Sequence, residues 1–219
     1  MKPILKSIRL DHDILKLYYP TFLVAAYGLA ILIAVLTQKP GWAIVTVMAI
    51  SAPFVGSNFY LYEKNNLGHL YGILPLGKNE VVIGRYLYAL AFSIANGIAA
   101  SILATIISWI DHSRMSQVEF LTFAFAPFAY FCIYIAVLFP IYFEFPYSKV
   151  YIITNLPFPA VVALAYLLRK DNLLQQLQQI IQYFTTHPNM IWVDGLGLGL
   201  LLLLISCPVS FLIHQKSEL

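Results

Sequence analysis

The sequence predicts an all-α, polytopic membrane protein with six transmembrane helices. Two observations predict this fold class. Of the 219 residues, 60% are hydrophobic and only 11% are charged, and the apolar residues are gathered in long runs separated by short polar segments. A composition this apolar lies outside the range of soluble domains, so lipid is the expected solvent. The runs lack the short alternating pattern of barrel strands, so the backbone is expected to satisfy its hydrogen bonds within helices.

Six apolar runs are long enough to cross a bilayer. A helix rises about 1.5 Å per residue and the hydrocarbon core is about 30 Å thick, so one crossing needs about 20 mostly apolar residues. The predicted spans are Tyr19–Thr37, Trp42–Tyr62, Val81–Ile110, Phe120–Phe143, Val150–Leu168 and Met190–Ile213. No internal repeat or second domain is evident, so residues 1–219 are expected to form one transmembrane domain.

The basic residues predict that both termini face the cytoplasm. An even number of spans places the termini on one side, and Lys and Arg favour the cytoplasmic side of short loops. With the termini inside, that side carries Lys2, Lys6, Arg9, Lys16, Lys64, Lys78, Arg85, Lys149 and Lys216. The outer side carries Lys39, Arg114, Arg169 and Lys170.

Two segments outside the spans have the pattern of amphipathic helices. Residues 1–18 interleave charged and aliphatic side chains, which predicts a helix at the membrane surface that leads into the first span. Residues 169–189 carry a stripe of leucine and isoleucine opposite glutamines. This outer segment is expected either to anchor the last span or to close the outer side as a gate.

The cytoplasmic loop of residues 63–80 is predicted to contain a short helix. One apolar stripe is formed, at spacings of three and four residues, by Leu67, Leu70, Tyr71 and Leu74. Asn65 or Asn66 can cap its start, Pro75 can end it, and Asn79 is expected to cap the third span. Such a helix either lies flat on the lipid or docks onto a cytoplasmic partner.

Residues 72–79 also approximate a phosphate-binding loop, but the pattern is expected to be a coincidence. Asn79 stands where a hydroxyl should bind Mg²⁺, and Pro75 removes a backbone donor from the phosphate cradle. A membrane span precedes the loop, where a phosphate loop needs a parallel strand.

The same loop resembles that of type-two ATP-binding-cassette (ABC) transporter permeases, specifically small bacterial exporter-type membrane subunits. The matching residues are Glu63, Lys64, Asn65, Asn66, Leu74, Pro75, Lys78, Val82, Arg85 and Tyr86. The resemblance implies that the loop is a coupling helix seated in a groove of a separate ATPase subunit, and that two permease copies, identical or homologous, pair around the pathway. It places the protein in the bacterial cell membrane, with ATP and Mg²⁺ bound by the partner ATPase.

Within this interpretation, the apolar side chains of the loop would anchor the ATPase, Glu63, Lys64 and Lys78 would form a polar rim, and Arg85 would pin the loop to the third span. That span also carries small or polar residues at Ser93, Asn96, Gly97 and Ser101. They mark a face used either for helix packing or for the pathway, and spacing alone does not distinguish the two.

The sequence offers no catalytic centre at membrane depth, neither an acid–base pair nor a metal cluster. No basic stripe suggests nucleic-acid binding. The expected function is therefore a permease subunit of an ATP-driven exporter that binds no cofactor itself, is not an enzyme, and contacts lipid. An amphipathic, antimicrobial-type peptide or a lipid-like molecule is the expected cargo. The alternative is a membrane scaffold, sensor or immunity subunit that binds a partner without transport; a membrane enzyme ranks third.

Overall fold

The computed structural model describes residues 3–65, 67, 77–113, 115–150 and 188–216. Within these ranges the secondary structure is entirely helical, which confirms the all-α prediction for this part of the chain. The helices are α1 (Pro3–Lys16), α2 (Tyr19–Thr37), α3 (Gly41–Lys64), α4 (Lys78–Ile110), α5 (Gln117–Glu144) and α6 (Pro188–Lys216). Among the described residues, α2 to α6 provide five segments long and apolar enough to cross a membrane.

The sixth crossing stays a prediction. The proposed fifth span, Val150–Leu168, lies outside the described residues apart from its first residue. The amphipathic segment 169–189 also lies outside them, apart from its last two residues, which begin α6.

Two of the candidate membrane-spanning helices, α4 and α5, extend past the apolar runs because polar groups satisfy their first turns. At the start of α5, Ser116 Oγ accepts from the Glu119 N–H at 3.2 Å, and the Glu119 carboxylate accepts from the Ser116 N–H at 3.0 Å. At the start of α4, the Gly77 N–H donates to Glu80 Oε2 at 2.8 Å. The expectation that Asn79 caps this helix was wrong, because Gly77 occupies the N-cap and Asn79 already lies inside the first turn.

The most extensive packing joins α5 to α6, and these two helices are parallel. Gly199 lets them approach closely: a side-chain carbon added there would lie 3.1 Å from Cys132 Cβ and 3.3 Å from the Ala129 carbonyl oxygen. Towards the end of both helices, the rings of Phe143 and His214 lie 5.3 Å apart. We call this end of the bundle, where α3 ends and α4 begins, the loop end.

Helix α1 packs on the side of the bundle at the loop end. Ser7, Asp11 and Leu15 lie on one face at four-residue spacing, and all three are fully buried. Ser7 lies directly against Gly84 of α4, where an added side-chain carbon would collide with it. The N-terminal segment is therefore helical as predicted, but one face of it is covered by protein and includes a carboxylate that the amphipathic pattern did not mark as buried.

Candidate functional site

The predicted coupling loop is described only at its two bases. Glu63 and Lys64 end α3, Asn65 follows them, and the Leu67 N–H donates to the Tyr62 carbonyl oxygen at 3.0 Å. Lys78 begins α4. The remaining predicted contact residues of the loop lie outside the described residues: Asn66, Leu70, Tyr71, Leu74 and Pro75.

The first base of the loop is fastened to the end of α5. The Glu63 carboxylate accepts two hydrogen bonds from Ser148, one from the hydroxyl at 2.6 Å and one from the backbone N–H at 3.1 Å. Ser148 lies in the helical residues 147–150 that follow α5, where the Lys149 N–H donates to the Pro146 carbonyl oxygen. The contact therefore links the end of α3 to the segment that follows α5, through two residues that are 85 positions apart in sequence.

The second base of the loop is fixed by Arg85, which is buried two turns into α4. Its Nε lies 3.8 Å from Asp11 Oδ1 of α1, and the two side chains are 6% and 0% exposed. The guanidinium carbon lies 4.2 Å from the ring centre of Phe59, 5.0 Å from that of Tyr62 and 5.5 Å from that of Phe143. An ion pair and three cation–π contacts thus join α4 to α1, α3 and α5 in a low-dielectric setting. We call these five residues the Arg85 cluster.

One residue further along α4, Tyr86 ties the helix to α6. Its hydroxyl lies 2.6 Å from Ser206 Oγ and 2.8 Å from Ser210 Oγ, and Ser206 Oγ donates to the Ala136 carbonyl oxygen of α5 at 2.6 Å. A serine has a single hydroxyl proton, so Ser206 must accept from Tyr86, and Tyr86 in turn accepts from Ser210. The chain of three bonds connects α6, α4 and α5 at the loop end.

A lateral groove of about 550 Å³ opens further along α4, between this helix and α5 and α6. Three of the residues predicted as a packing or pathway face, Ser93, Gly97 and Ser101, line it together with Thr105 one turn further on. The opposite wall is apolar and is built by Phe120, Ala124, Phe125, Phe128, Leu196 and Leu200. Ser101 Oγ donates to the carbonyl of Gly97 in its own helix, so the groove presents a mainly apolar surface.

Asn96 does not belong to this groove. Its side-chain oxygen accepts from the Tyr27 hydroxyl of α2 at 3.0 Å, and its amide donates to the Phe92 carbonyl oxygen at 2.9 Å. The structure therefore places Asn96 on the opposite side of α4, where it joins two helices. No group of three or more metal-ligating side chains occurs in the described ranges.

A search against protein-family models matches residues 4–215 to the ABC-2 family transporter protein. The chain belongs to the ABC-2 transporter family. The match spans nearly the whole sequence and confirms the resemblance drawn from the loop residues. No curated protein and no solved structure matches the chain.

Membership of the ABC-2 family makes the chain a multi-pass membrane protein and a permease subunit of an ABC transporter, a membrane subunit that is not itself catalytic. The family also implies an ABC ATPase as partner. For an ABC-2 permease, the side chains that sequence reasoning missed are those that fasten the loop bases: Asp11, Ser148, Ser206 and Ser210. Of these, Asp11 left a usable signal, because it shares a helical face with Ser7 and Leu15.

Proposed function

We propose that this ABC-2 permease couples ATP hydrolysis on a separate ATPase to export, and that the loop of residues 63–80 is the segment on which the ATPase acts. The Arg85 cluster is the observation that carries this proposal. Glu63 at the first base is bonded to Ser148, and Arg85, two turns into α4, contacts α1, α3 and α5. A force applied to the loop would therefore be transmitted to the bundle.

Transmission of this kind needs a stiff connection between the loop and the pathway. Helix α4 supplies it, because it begins at the loop, carries Arg85 and Tyr86 in its first turns, and then lines the lateral groove with Ser93 and Gly97. The ion pair of Arg85 with Asp11 and the hydrogen bonds of Tyr86 hold the first turns of α4 to α1 and α6, so we expect the loop-end helices to move together. Coupling further requires the loop to contact the nucleotide-bound and nucleotide-free ATPase differently.

The parallel packing of α5 and α6 supports six spans with both termini in the cytoplasm. Both helices end at the loop end, and the predicted span Val150–Leu168 would carry the chain back across the membrane from the end of α5 to the start of α6. The basic residues at this end, among them Lys64 and Lys149, agree with a cytoplasmic loop end in a bacterial cell membrane.

The lateral groove supports a pathway that two permease copies build together. It is open on one side and lined mainly by apolar groups, as expected of a half-pathway completed by a second or homologous copy. Its apolar lining suits an amphipathic peptide or a lipid-like cargo, and cargo of that kind is the substrate class we propose.

Co-purification tests the coupling role. The tagged permease, expressed from its native locus and solubilised gently, should retain an ATPase that Leu70→Asp/Leu74→Asp loses. Val118→Asp is the control, since it also replaces an aliphatic side chain with aspartate, at an exposed position at the far end of α5. Absence of an ATPase with the wild type, or equal recovery with the loop variant, would contradict the proposal and favour a scaffold, sensor or immunity subunit that binds a partner without transport.

A further inference from the structure

A second groove lies on the other side of α4, at the loop end, where α1 crosses it. It encloses about 580 Å³ and is open along one side. Its lining comes from α1, from the first residue of α2 and from α4: Leu5, Ile8, Arg9, His12, Tyr19, Tyr88, Ala91, Phe92, Ala95 and Asn96. The coupling proposal makes no use of it.

The two ends of this groove differ in polarity. Arg9 and His12 stand at the α1 end, and the exposed Ala91 and Ala95 form an apolar floor along α4. From Tyr88 to Asn96 the helix rises by about 12 Å, which is less than half of a hydrocarbon core of about 30 Å. A molecule that fills the groove therefore has a charged head at the membrane surface and an apolar tail that stays within one leaflet.

The polar end is an ordered arrangement of donors. The Tyr19 hydroxyl lies 2.9 Å from His12 Nδ1 and 2.6 Å from the hydroxyl of the buried Tyr88. When the Tyr19 hydroxyl donates to Nδ1, the ring proton of His12 lies on Nε2, which can then donate to a ligand. Arg9 forms an exposed contact with Asp13 at 3.9 Å, but a guanidinium has five N–H donors and retains others for an anion.

From this geometry we infer that the groove binds an anionic phospholipid of the cytoplasmic leaflet, with its phosphate at Arg9 and His12 and an acyl chain over Ala91 and Ala95. The charge balance of α1 favours this occupant. The exposed side of α1 carries three basic residues, Lys6, Arg9 and Lys16, and one acidic residue, Asp13. This side has a net positive charge because the other carboxylate, Asp11, is buried against Arg85. Such a surface attracts anionic headgroups, whereas a symmetric contact with a second copy would bring the same positive patch onto itself.

Native mass spectrometry of the purified, delipidated full-length protein, titrated with phosphatidylglycerol or phosphatidylcholine, tests this inference. The wild type should bind phosphatidylglycerol more tightly than phosphatidylcholine. Arg9→Gln should weaken phosphatidylglycerol binding about fivefold, the typical contribution of one basic residue at an anionic surface. Lys149→Gln removes an exposed charge at the same end of the bundle but outside the groove, and should leave the affinity unchanged.

The apolar floor is tested by Ala95→Leu, which fills the groove and should abolish specific lipid binding. Ala99→Leu is the matched control, since Ala99 is also exposed, lies one turn further along α4 and does not line the groove. Both variants should melt together, which separates a filled groove from a misfolded protein.

Four results would overturn the inference. Equal binding of the two lipids would remove the role of Arg9 and His12, and equal lipid binding by Ala95→Leu and Ala99→Leu would remove the groove itself. Displacement of the lipid by inorganic phosphate alone would mean a simple anion site. A dimer that dissociates in Ala95→Leu would instead assign this face to a second copy of the chain.

Discussion

Replacing Asp11 with Asn should destabilise the protein strongly, because Arg85 would keep its charge in a site that water does not reach. The carboxylate is fully buried and lies 3.8 Å from the guanidinium, which is itself only 6% exposed. Removing one partner of a buried ion pair costs about 3–5 kcal/mol. For a chain of this length that corresponds to a drop in melting temperature of about 6–20 °C.

Two further variants separate the ion pair from general damage to α1. Asp13→Asn changes a carboxylate on the same helix, but its contact with Arg9 is exposed and should contribute less than about 1 kcal/mol. Asp11→Leu/Arg85→Met removes both charges and leaves an apolar chain against the aromatic rings. Replacing a buried ion pair by apolar side chains often changes the free energy of unfolding little, so the double variant should recover most of the lost stability.

Melting in lipid nanodiscs with a thiol-reactive fluorophore measures these differences, because Cys132 is a buried free thiol that becomes reactive on unfolding. The expected order is wild type and Asp13→Asn together, the double variant slightly lower, and Asp11→Asn well below them. If Asp11→Asn melts with Asp13→Asn, the Arg85 cluster does not hold α1 to the bundle, and the reasoning fails.

Two other substitutions probe the same end of the molecule. Gly84→Ala should lower the free energy of unfolding by about 1–3 kcal/mol, because the added methyl group collides with Ser7 and forces α1 away. Gly28→Ala is the control, since its methyl group enters open space, and this variant should melt at or slightly above the wild-type temperature. Equal melting of the two variants would show that α1 does not lie against α4. Glu63→Ala should lower the free energy of unfolding, measured in nanodiscs, by about 1 kcal/mol. It should reduce ATPase stimulation by more than this loss of stability explains, because the hydrogen bonds to Ser148 join the loop to the end of α5. Normal stimulation would argue against this link.

The membrane spans could be predicted well because hydrophobic run length is a local property. The first span was predicted as Tyr19–Thr37 and is helical over those same residues. The other spans that the structure describes differ at one or both ends: the predicted start at Phe120 becomes Gln117, because the reciprocal bonds of Ser116 and Glu119 extend the helix into polar sequence.

The contacts that fasten the candidate site could not be predicted, because they join residues far apart in sequence. Asp11 shares a helical face with Ser7 and Leu15, and Arg85 was predicted to pin the loop, but only the packing of α1 on α4 brings the two charges together in a buried site. The Tyr86–Ser206 bond spans 120 positions. Small-residue spacing correctly grouped Ser93, Gly97 and Ser101 on one face, whereas Asn96, one position before Gly97 on a helix that turns by about 100° per residue, lies on another.

ATP hydrolysis in proteoliposomes tests the coupling proposal most directly. The partner ATPase is measured alone, with the wild-type permease and with Leu70→Asp/Leu74→Asp, at equal protein amounts. The account predicts that the wild type raises the hydrolysis rate and that the loop variant, folded as judged by its melting temperature, leaves it at the level of the ATPase alone. Equal stimulation by both permeases would contradict coupling through the loop of residues 63–80.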